Sequence, residues 1–538
     1  MTSIQYALGL DYGTLSVRAL LVEMNTGREA AEAVYTYPHG VMHSALPDGT
    51  QLPPDFALAH PADYLEGLFT VVPQVMEKAG ITGAQVTGIG ISATSATLVP
   101  LSGDLTPLCL LPGFENRPHA YIKLWKHHGA VPQTQRMYET ALNRGEPWLQ
   151  NFGGRINCEF LMPKILETAL QDPEVYEKTV YMAEMGEWLT GVLTGTFAKS
   201  RCMASCNSLY DEQNGFPKSD FFTTCYPEIT PPLQKLDAPL VSLGSTTGTL
   251  ESAVAEQLGL PAGLPVASAI IDSHSAVLGC GATQAGDLVA VLGTSACYLY
   301  SDRSGGGIPG IYSAAYQAHA PGLYGYEGGQ SCVGDLLAWA VERIIPAQCY
   351  EEARSHGMNI HQYLMEKAAS LPPGGHGLIA LDWWSGVRSP LMNPRLTGVL
   401  SGLTLDTQPE EIYLALLEAI CFGARRIIET FTEAGHTIAR CFAAGGIPQR
   451  NPLLMQVLSN ICNREFAVCG SAQASALGAA ILGAAAAGQP EGFTQHISRM
   501  AAAPTGSYCP QQDKVEEYER LYQKYLRISA FFEEEEKR

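Results

Sequence analysis

The chain enters its first apolar segment with Ala7-Leu-Gly-Leu-Asp11-Tyr-Gly13-Thr14-Leu-Ser16-Val-Arg18-Ala-Leu-Leu-Val-Glu23. Two runs of β-type residues flank a short polar turn, which predicts a β-hairpin. The turn brings backbone N–H groups, the Thr14 hydroxyl and the Asp11 carboxylate into one small volume. N–H donors stabilise phosphate oxygens, and hard oxygen ligands suit Mg²⁺. The stretch therefore fits a turn that binds phosphate and Mg²⁺, or an ordinary hairpin whose Asp-Tyr-Gly is only turn chemistry.

A second stretch repeats this design in the other half of the chain. It reads Asp287-Leu-Val-Ala-Val-Leu-Gly293-Thr294-Ser295-Ala-Cys-Tyr-Leu-Tyr300, again an apolar strand, a glycine, two hydroxyls and an apolar strand. Two copies of one hairpin predict a duplicated architecture with a cleft between the copies.

Length and charge limit the class of protein. A chain of 538 residues is too long for one hydrophobic core, so we expect two large domains, 1–285 and 286–538. The net charge of −20 argues against a surface for nucleic acid or an anionic membrane. A phosphate-bearing ligand must then be bound by local donors and Mg²⁺ rather than by a basic face.

Cysteine usage indicates a reducing compartment. The 14 cysteines form no Cys-x-x-Cys pair, and the closest spacing, Cys202 to Cys206, has no clustered histidine to complete a metal site. We therefore expect mostly buried thiols in a cytoplasmic protein. The start of the chain lacks a signal pattern, and the apolar stretch Ala474 to Gly488 is too short to span a bilayer. The sequence leaves homo-oligomerisation open.

Alternating helical and strand patterns predict an α/β fold. Helices are expected over Ala62 to Val72, over Glu410 to Glu433 and from about Gln512, and strands over Val86 to Ile91 and Ile438 to Ala444. Gly88 and Gly90 match part of a dinucleotide-binding fingerprint, but Pro100 breaks the helix that the fingerprint requires.

Two further segments carry candidate chemistry. Asp272 ends an apolar strand where a helix begins, so it is either a helix N-cap or a general base for a hydroxyl nucleophile. Phosphoryl transfer requires mainly positioning, charge neutralisation and an acceptor for the hydroxyl proton. Gly445 and Gly446 lie between a strand and a helix that starts near Asn451, which fits a nucleotide-binding turn or a plain glycine-rich connection.

Together these segments resemble the FGGY carbohydrate kinases over nearly the whole chain. The resemblance rests on the Gly-Leu-Asp-Tyr-Gly hairpin and on four more segments: Pro118-His-Ala-Tyr-Ile-Lys-Leu-Trp-Lys-His-His128, Glu327-Gly-Gly-Gln-Ser-Cys-Val-Gly-Asp335, Leu381-Asp-Trp-Trp-Ser-Gly386 and Ser475-Ala-Leu-Gly-Ala-Ala-Ile481. The resemblance implies an actin-like ATPase fold, in which two RNase H-type α/β domains close on ATP and sugar.

The resemblance also implies an activity and residue roles. The expected reaction is ATP- and Mg²⁺-dependent phosphorylation of the terminal hydroxyl of a ketopentose, with L-ribulose as the first candidate. Asp11 is implied to hold Mg²⁺ through water, and Asp272 to be the base. Residues 1–285 are implied to bind the sugar and 286–538 the nucleotide. The implied nucleotide contacts are Gly13, Thr14, Arg18, Gly293, Thr294, Gly445, Gly446 and Asn451, and the implied sugar contacts are Trp125, Asn207, Asp272 and Glu327.

The chain departs from the family pattern around the sugar. Ser92 stands where similar members usually carry Asp, Asn207 stands in place of a sugar-contacting Lys, and Asn157-Cys-Glu-Phe160 replaces Ser-Ser-Glu-Trp. Losing a cation and a carboxylate removes two charge-assisted hydrogen bonds, each worth about 1.5–3 kcal/mol. Another pentulose or a polyol is therefore an alternative substrate, and a catalytically silent protein that binds sugar and nucleotide is a third interpretation.

Overall fold

The computed structural model describes residues 4–488 and 492–537. The strands are β1 Tyr6–Tyr12, β2 Ser16–Glu23, β3 Glu29–Thr36, β4 Leu58–Ala59, β5 Val86–Ala93, β6 Leu98–Leu101, β7 Ile122–Lys123, β8 Tyr181–Glu184, β9 Lys199–Ser200, β10 Leu240–Val241, β11 Thr246–Thr249, β12 Pro265–Ala267, β13 Ile270–Ile271, β14 Asp287–Leu292, β15 Ala296–Asp302, β16 Ala314–Tyr316, β17 Tyr324–Gln330, β18 Ile379–Leu381, β19 Val399–Ser401, β20 Arg440–Ala444, β21 Phe466–Val468 and β22 Gly506–Tyr508. The helices are α1 Pro61–Ala79, α2 Val131–Arg144, α3 Leu161–Gln171, α4 Pro173–Lys178, α5 Met185–Thr194, α6 Arg201–Asn207, α7 Ser219–Cys225, α8 Ser252–Leu258, α9 Asp272–Gly279, α10 Gly334–Arg343, α11 Ala347–Ser355, α12 Ile360–Ala369, α13 Pro409–Glu433, α14 Gly446–Arg450, α15 Pro452–Cys462, α16 Ala474–Ala487, α17 Phe493–Met500 and α18 Gln512–Glu536.

Two mixed sheets with the same central topology organise the molecule. In the first, β1 pairs antiparallel with β2 and parallel with β5, in the order β11-β12-β5-β1-β2-β3, and β13 also pairs with β5. In the second, β14 pairs antiparallel with β15 and parallel with β20, in the order β16-β17-β15-β14-β20-β21-β22. Each sheet thus starts with a hairpin whose first strand is then paired by a later parallel strand. The predicted duplication is confirmed at the level of topology.

The predicted elements are present with small changes in their ends. The first predicted helix extends over α1, and the helix expected over 410–433 is α13. The strands expected over 86–91 and 438–444 are β5 and β20, and the last predicted helix is α18. Apolar periodicity predicts these elements because each helix buries one face and each strand buries one or both of its faces.

Helix α16 packs on the first sheet through glycines. A Cβ atom on Gly9 of β1 would lie 2.0 Å from the Ala476 carbonyl oxygen, and one on Gly90 of β5 would lie 1.9 Å from the Ala479 carbonyl oxygen. Only glycine allows the backbones to approach this closely. The partial fingerprint at Gly88 and Gly90 therefore serves helix packing. Because α16 belongs to the later half of the sequence, packing crosses the boundary predicted at 285/286, and that boundary remains a prediction.

Over the residues that the structure describes, every helix is too short or too polar to cross a bilayer.

Candidate active site

A cavity of about 270 Å³ is lined by residues from both halves of the chain. Both hairpin turns contribute to it, through Thr14 on one side and through Gly293 and Thr294 on the other. Its remaining lining includes Trp125, Asn157, Glu159, Asn207, Asp272, Tyr312, Glu327 and Arg388. The structure therefore brings together many of the candidate residues that the sequence separates by up to about 300 positions.

The carboxyl ends of three neighbouring strands bring Asp11 and Asp272 together. Asp11 on β1 pairs in register with Ser92 on β5, and Ile270 of β13 pairs with the same Ser92 from the other side. Asp272 follows β13 directly, so the two carboxylates flank the end of β5. Parallel strands end at the same edge of a sheet, and the candidate chemistry lies at that edge.

Asp11 is buried and held by two donors. Ser92 Oγ donates to Asp11 Oδ1 at 2.8 Å, and the Arg18 guanidinium donates to Oδ2 at 3.1 Å. Burial raises the pKa of Asp11 above its usual value, although Arg18 and Ser92 act in the opposite direction. Arg18 is the cross-strand neighbour of Asp11 in the β1–β2 hairpin. It therefore contacts the predicted metal ligand, and its predicted role with the nucleotide remains a prediction.

Asp272 is the first residue of α9. Its carboxylate accepts a hydrogen bond from the Ser273 backbone N–H at 2.7 Å, while Ile271 occupies the N-cap position. Burial, and then the nearby Asp11 charge, raise the pKa of Asp272 to about 7. A carboxyl group with a pKa near neutrality can accept a proton at physiological pH, which is the property that a general base requires.

The two hairpin turns have related backbone geometry. The Gly13 N–H donates to the Ser16 carbonyl at 3.0 Å, and the Gly293 N–H donates to the Ser295 carbonyl at 2.9 Å. The Trp125 indole N–H donates to Thr14 Oγ1 at 3.0 Å, which fixes the threonine hydroxyl beside the cavity. Thr294 is exposed at the tip of its turn. The turns thus present hydroxyl groups to the cavity from opposite halves of the chain.

The glycine pair near residue 445 forms a separate feature. Gly445 has φ +97°, and a Cβ atom there would lie 2.4 Å from the Leu292 carbonyl oxygen, so the turn requires glycine. A Cβ on Gly446 would meet no atom within 4 Å, which leaves open space at the start of α14. Asn451 caps α15 by accepting from the Leu454 N–H at 2.9 Å. These three residues do not line the cavity described above, and their nucleotide roles remain predictions.

The other predicted sugar contacts, Trp125, Asn207 and Glu327, line the same cavity as Asp272 and form what we call the sugar wall. Glu327 on β17 pairs with the His274 imidazole at 3.0 Å. Burial alone would raise the pKa of the Glu327 carboxyl, but the hydrogen bond and the charge of His274 act in the opposite direction, and the net effect is a lowered pKa. Asn207 at the end of α6 is 5% exposed, and its side-chain N–H₂ group has no hydrogen-bond partner among the residues that the structure describes. A buried amide without a partner costs about 1–3 kcal/mol, so a ligand that accepts from it gains correspondingly.

Two further residues on this wall, Arg388 and Tyr312, carry no signal in the sequence. The Arg388 guanidinium donates to Glu159 Oε1 at 2.9 Å and lies over the Trp125 ring at 5.1 Å. Tyr312 accepts a hydrogen bond from the Asn157 amide at 3.1 Å. Both Arg388 and Tyr312 lie between regular elements, where neither periodicity nor a motif marks them. Both contacts join the two halves of the chain across the cavity.

The acidic edge has the donors that Mg²⁺ prefers. Asp11 and Asp272 are close enough for the charge of one to raise the pKa of the other, and a divalent cation relieves such repulsion. Carboxylate oxygens are hard ligands, which Mg²⁺ binds directly or through water. The residues present therefore fit a Mg²⁺ ion at this edge.

The paired sheets and the cleft between them form an actin-like ATPase fold. A solved xylulose kinase from Rhodospirillum rubrum superposes with a TM-score of 0.79 at 22% identity, covering 98% of this chain and 100% of that one. At this identity the likeness concerns the fold alone.

Sequence comparison defines the family. The N-terminal domain of the FGGY family of carbohydrate kinases matches residues 6–279, and its C-terminal domain matches residues 288–487. A ribulokinase of Anoxybacillus flavithermus is 41% identical over 534 residues, covering 98% of this chain and 94% of the relative. A ribulokinase of Geobacillus thermodenitrificans is 40% identical with the same coverage. The chain belongs to the FGGY family of carbohydrate kinases, and it is a sugar kinase.

Proposed function

We propose that this kinase transfers the γ-phosphate of ATP to the terminal hydroxyl of a ketopentose, with L-ribulose as the preferred substrate. One observation carries the proposal: a single cavity is lined by both hairpin turns and by Asp272, the carboxylate whose pKa lies near neutrality. The names of the relatives, which are ribulokinases at about 40% identity over nearly the whole chain, support the choice of sugar.

In this mechanism Asp272 accepts the proton of the attacking hydroxyl as the oxygen approaches the γ-phosphorus. Thr14 and Thr294, with the backbone N–H groups of their turns, hold the phosphate chain. Asp11 would hold Mg²⁺, which would neutralise charge on the phosphates. Glu327 and Trp125 orient the sugar, and closing the cleft excludes water that would otherwise compete as the phosphate acceptor.

A second candidate is a kinase for another pentulose or for a polyol. It is favoured by Asn207, whose unpaired amide donates to a hydroxyl differently from a lysine ammonium. Sites that hydrogen-bond their substrates discriminate strongly against analogues that leave buried polar groups unpaired.

Measuring ADP release with Mg-ATP and a panel of ketopentoses, their epimers and the matching polyols tests both candidates. We expect the highest kcat/KM with L-ribulose, and NMR of the product should place phosphate on the terminal carbon. A higher kcat/KM with another sugar would select the second candidate. Absence of sugar-dependent ADP release with every compound would overturn kinase activity, and tight calorimetric binding without turnover would indicate a silent binding protein.

A further inference from the structure

Two cysteines and a histidine meet beside the sugar wall. One ligand atom each from Cys202, Cys206 and His274 lies within 4.8 Å of the other two, and all three residues are buried. The sequence places no histidine near the cysteine pair, but the folded chain brings His274 beside it. The fold supplies His274 because α6 packs against β13, the short strand that leads directly into α9.

The spacing of the three groups fits a tetrahedral soft metal. Cys202 and Cys206 are four residues apart on α6, so their thiols share one face of the helix. Cys202 Sγ lies 3.6 Å from His274 Nδ1. A tetrahedral zinc ion with Zn–S of about 2.3 Å and Zn–N of about 2.05 Å separates sulfur from nitrogen by about 3.6 Å. The ion therefore requires little movement of these side chains.

The second nitrogen of the histidine already has the partner that zinc sites use. His274 Nε2 lies 3.0 Å from Glu327 Oε2 and donates to this carboxylate, while Nδ1 lies near both the Cys202 thiol and the Ala318 carbonyl. Metal-binding histidines regularly donate their other N–H to a carboxylate, which fixes the ring and raises its basicity. The Ser313 hydroxyl also lies 3.8 Å from Cys206 Sγ, within reach of a weak hydrogen bond to the sulfur.

The site has a route to solvent. Cys206 lines the same cavity as Asn207 and Asp272, so an ion can enter through this cavity. By contrast, the buried thiols of Cys280 and Cys469 are hydrogen-bonded to each other, and among the described residues no histidine completes a group of three ligands with them. That pair provides a matched comparison for thiol chemistry alone.

We propose that Cys202, Cys206 and His274 form a site for a thiophilic divalent cation of the zinc class. On binding, the two thiol protons and the proton that Nδ1 donates to the Ala318 carbonyl leave to solvent, and two sulfurs and one nitrogen coordinate the ion. The fourth position is left to water. This site is separate from the Mg²⁺ position at Asp11, because hard and soft ligands select different ions.

Cobalt(II) spectroscopy on the full chain tests the proposal. Protein treated with chelator and kept reduced is titrated with Co²⁺, without ATP or sugar, so the result is independent of the proposed function. We expect one Co²⁺ per chain, thiolate-to-cobalt charge-transfer absorption and the intense visible bands of tetrahedral cobalt. Addition of Zn²⁺ should abolish these bands, whereas excess Mg²⁺ should not.

Matched variants assign the ligands. Cys202→Ser and Cys206→Ser should each lose the charge-transfer band and bind the metal at least tenfold more weakly, while Cys280→Ser keeps both properties. Glu327→Gln should retain the band but lower the affinity about 10- to 100-fold. Weak octahedral cobalt spectra in the wild-type protein, or bands unchanged in Cys202→Ser, would overturn the site.

A measurement on the unmodified chain covers the case in which a cysteine variant does not fold. Zn²⁺ should slow alkylation of Cys206, quantified by peptide mass spectrometry, and leave alkylation of the exposed Cys509 unchanged. Equal alkylation rates of Cys206 with and without Zn²⁺ would contradict the proposal.

Discussion

The two walls of the cavity are built in different ways. The acidic edge consists of Asp11 and Ser92 on adjacent strands of one sheet and of Asp272, which directly follows a third strand of that sheet. Its carboxylates have hydrogen-bond donors within 3.1 Å. The sugar wall is assembled from loops and element ends of both halves, where Asn157 meets Tyr312 and Glu159 meets Arg388. Sheet register positions the first wall, whereas long-range packing positions the second.

We therefore assign the proposed phosphoryl-transfer chemistry to the acidic edge and the proposed sugar specificity to the sugar wall. At the acidic edge a one-residue slip in register would turn the side chains to the opposite face, so the position of the carboxylates is strongly determined. On the sugar wall the chain departs from the family pattern at Asn207 and Phe160 without disturbing a strand. We therefore expect large effects on turnover from changes at the edge, and smaller effects on affinity and stability from changes on the wall.

Removing the Asp272 carboxylate from the acidic edge should have the largest effect on turnover. Asp272→Asn keeps the shape of the side chain but removes the proton acceptor, and general-base catalysis contributes about 10²–10⁴-fold. We expect kcat to fall about a thousandfold while calorimetry shows unchanged ATP affinity. Asp287→Asn, a buried aspartate paired with Arg440 away from the cavity, should keep kcat within a few-fold. Near-normal turnover of Asp272→Asn would leave Asp272 with a structural role alone.

The same group should shape the pH dependence of the reaction. Because the proposed base, Asp272, acts as the carboxylate and its pKa is raised to about 7, kcat/KM should rise about tenfold per pH unit below 7 and level off above it. At pH 5 the expected loss is about a hundredfold. The profile is measured with saturating Mg-ATP and subsaturating sugar. A flat profile between pH 5 and 8 would contradict the assignment of Asp272.

The raised pKa also has a consequence for stability. An unfolded aspartate has a pKa near 3.9, so between about pH 4 and pH 7 the folded protein binds more protons at Asp272 than the unfolded chain does. The contribution of this group to folding is therefore lost as pH rises through that window. Urea unfolding should show that the difference between wild-type protein and Asp272→Asn grows in favour of the variant from pH 5 to pH 7.

The two walls also differ in how far the sequence predicts them. The Asp-Tyr-Gly hairpin, its copy at Gly293 and the strand end at Asp272 are local patterns, and the structure brings all three to one cavity. The family resemblance supplied Trp125 and Glu327, which local patterns do not mark. Arg388 and Tyr312 could not be predicted, because their positions depend on how loops from two halves pack together. The approach of His274 to Cys202 depends on the same kind of tertiary contact.

Breaking the charged contact across the cavity should lower stability. Arg388 and Glu159 are only about 15% exposed, and removing one partner of a buried pair costs about 3–5 kcal/mol. We expect Arg388→Leu to lower the free energy of unfolding by about 3 kcal/mol, measured in urea, because the Glu159 carboxylate then loses its guanidinium partner and keeps the more exposed His128 and the Asn157 amide.

A double variant separates the unpaired charge from lost packing. Arg388→Leu combined with Glu159→Gln should recover part of the stability, since no buried charge is left without a partner. As a control, Asp220→Asn at the exposed pair with Arg144 should change stability by less than about 1 kcal/mol. A double variant as unstable as Arg388→Leu would assign the loss to packing against Trp125.

The smallest effect is expected at Asn207, where stability and affinity should move in opposite directions. Its amide N–H₂ is buried without a partner, so Asn207→Leu removes an unsatisfied group and should raise the free energy of unfolding by about 1 kcal/mol. The same change removes the proposed donor to the sugar and should raise the sugar KM about tenfold, with kcat nearly unchanged. Asn460→Leu is the matched control. This buried asparagine accepts from the Gln511 N–H at 2.8 Å, so the same substitution there should lower the free energy of unfolding of the protein. If Asn207→Leu lowers stability as Asn460→Leu does, the Asn207 amide is hydrogen-bonded within the protein in the absence of sugar, and the prediction is contradicted.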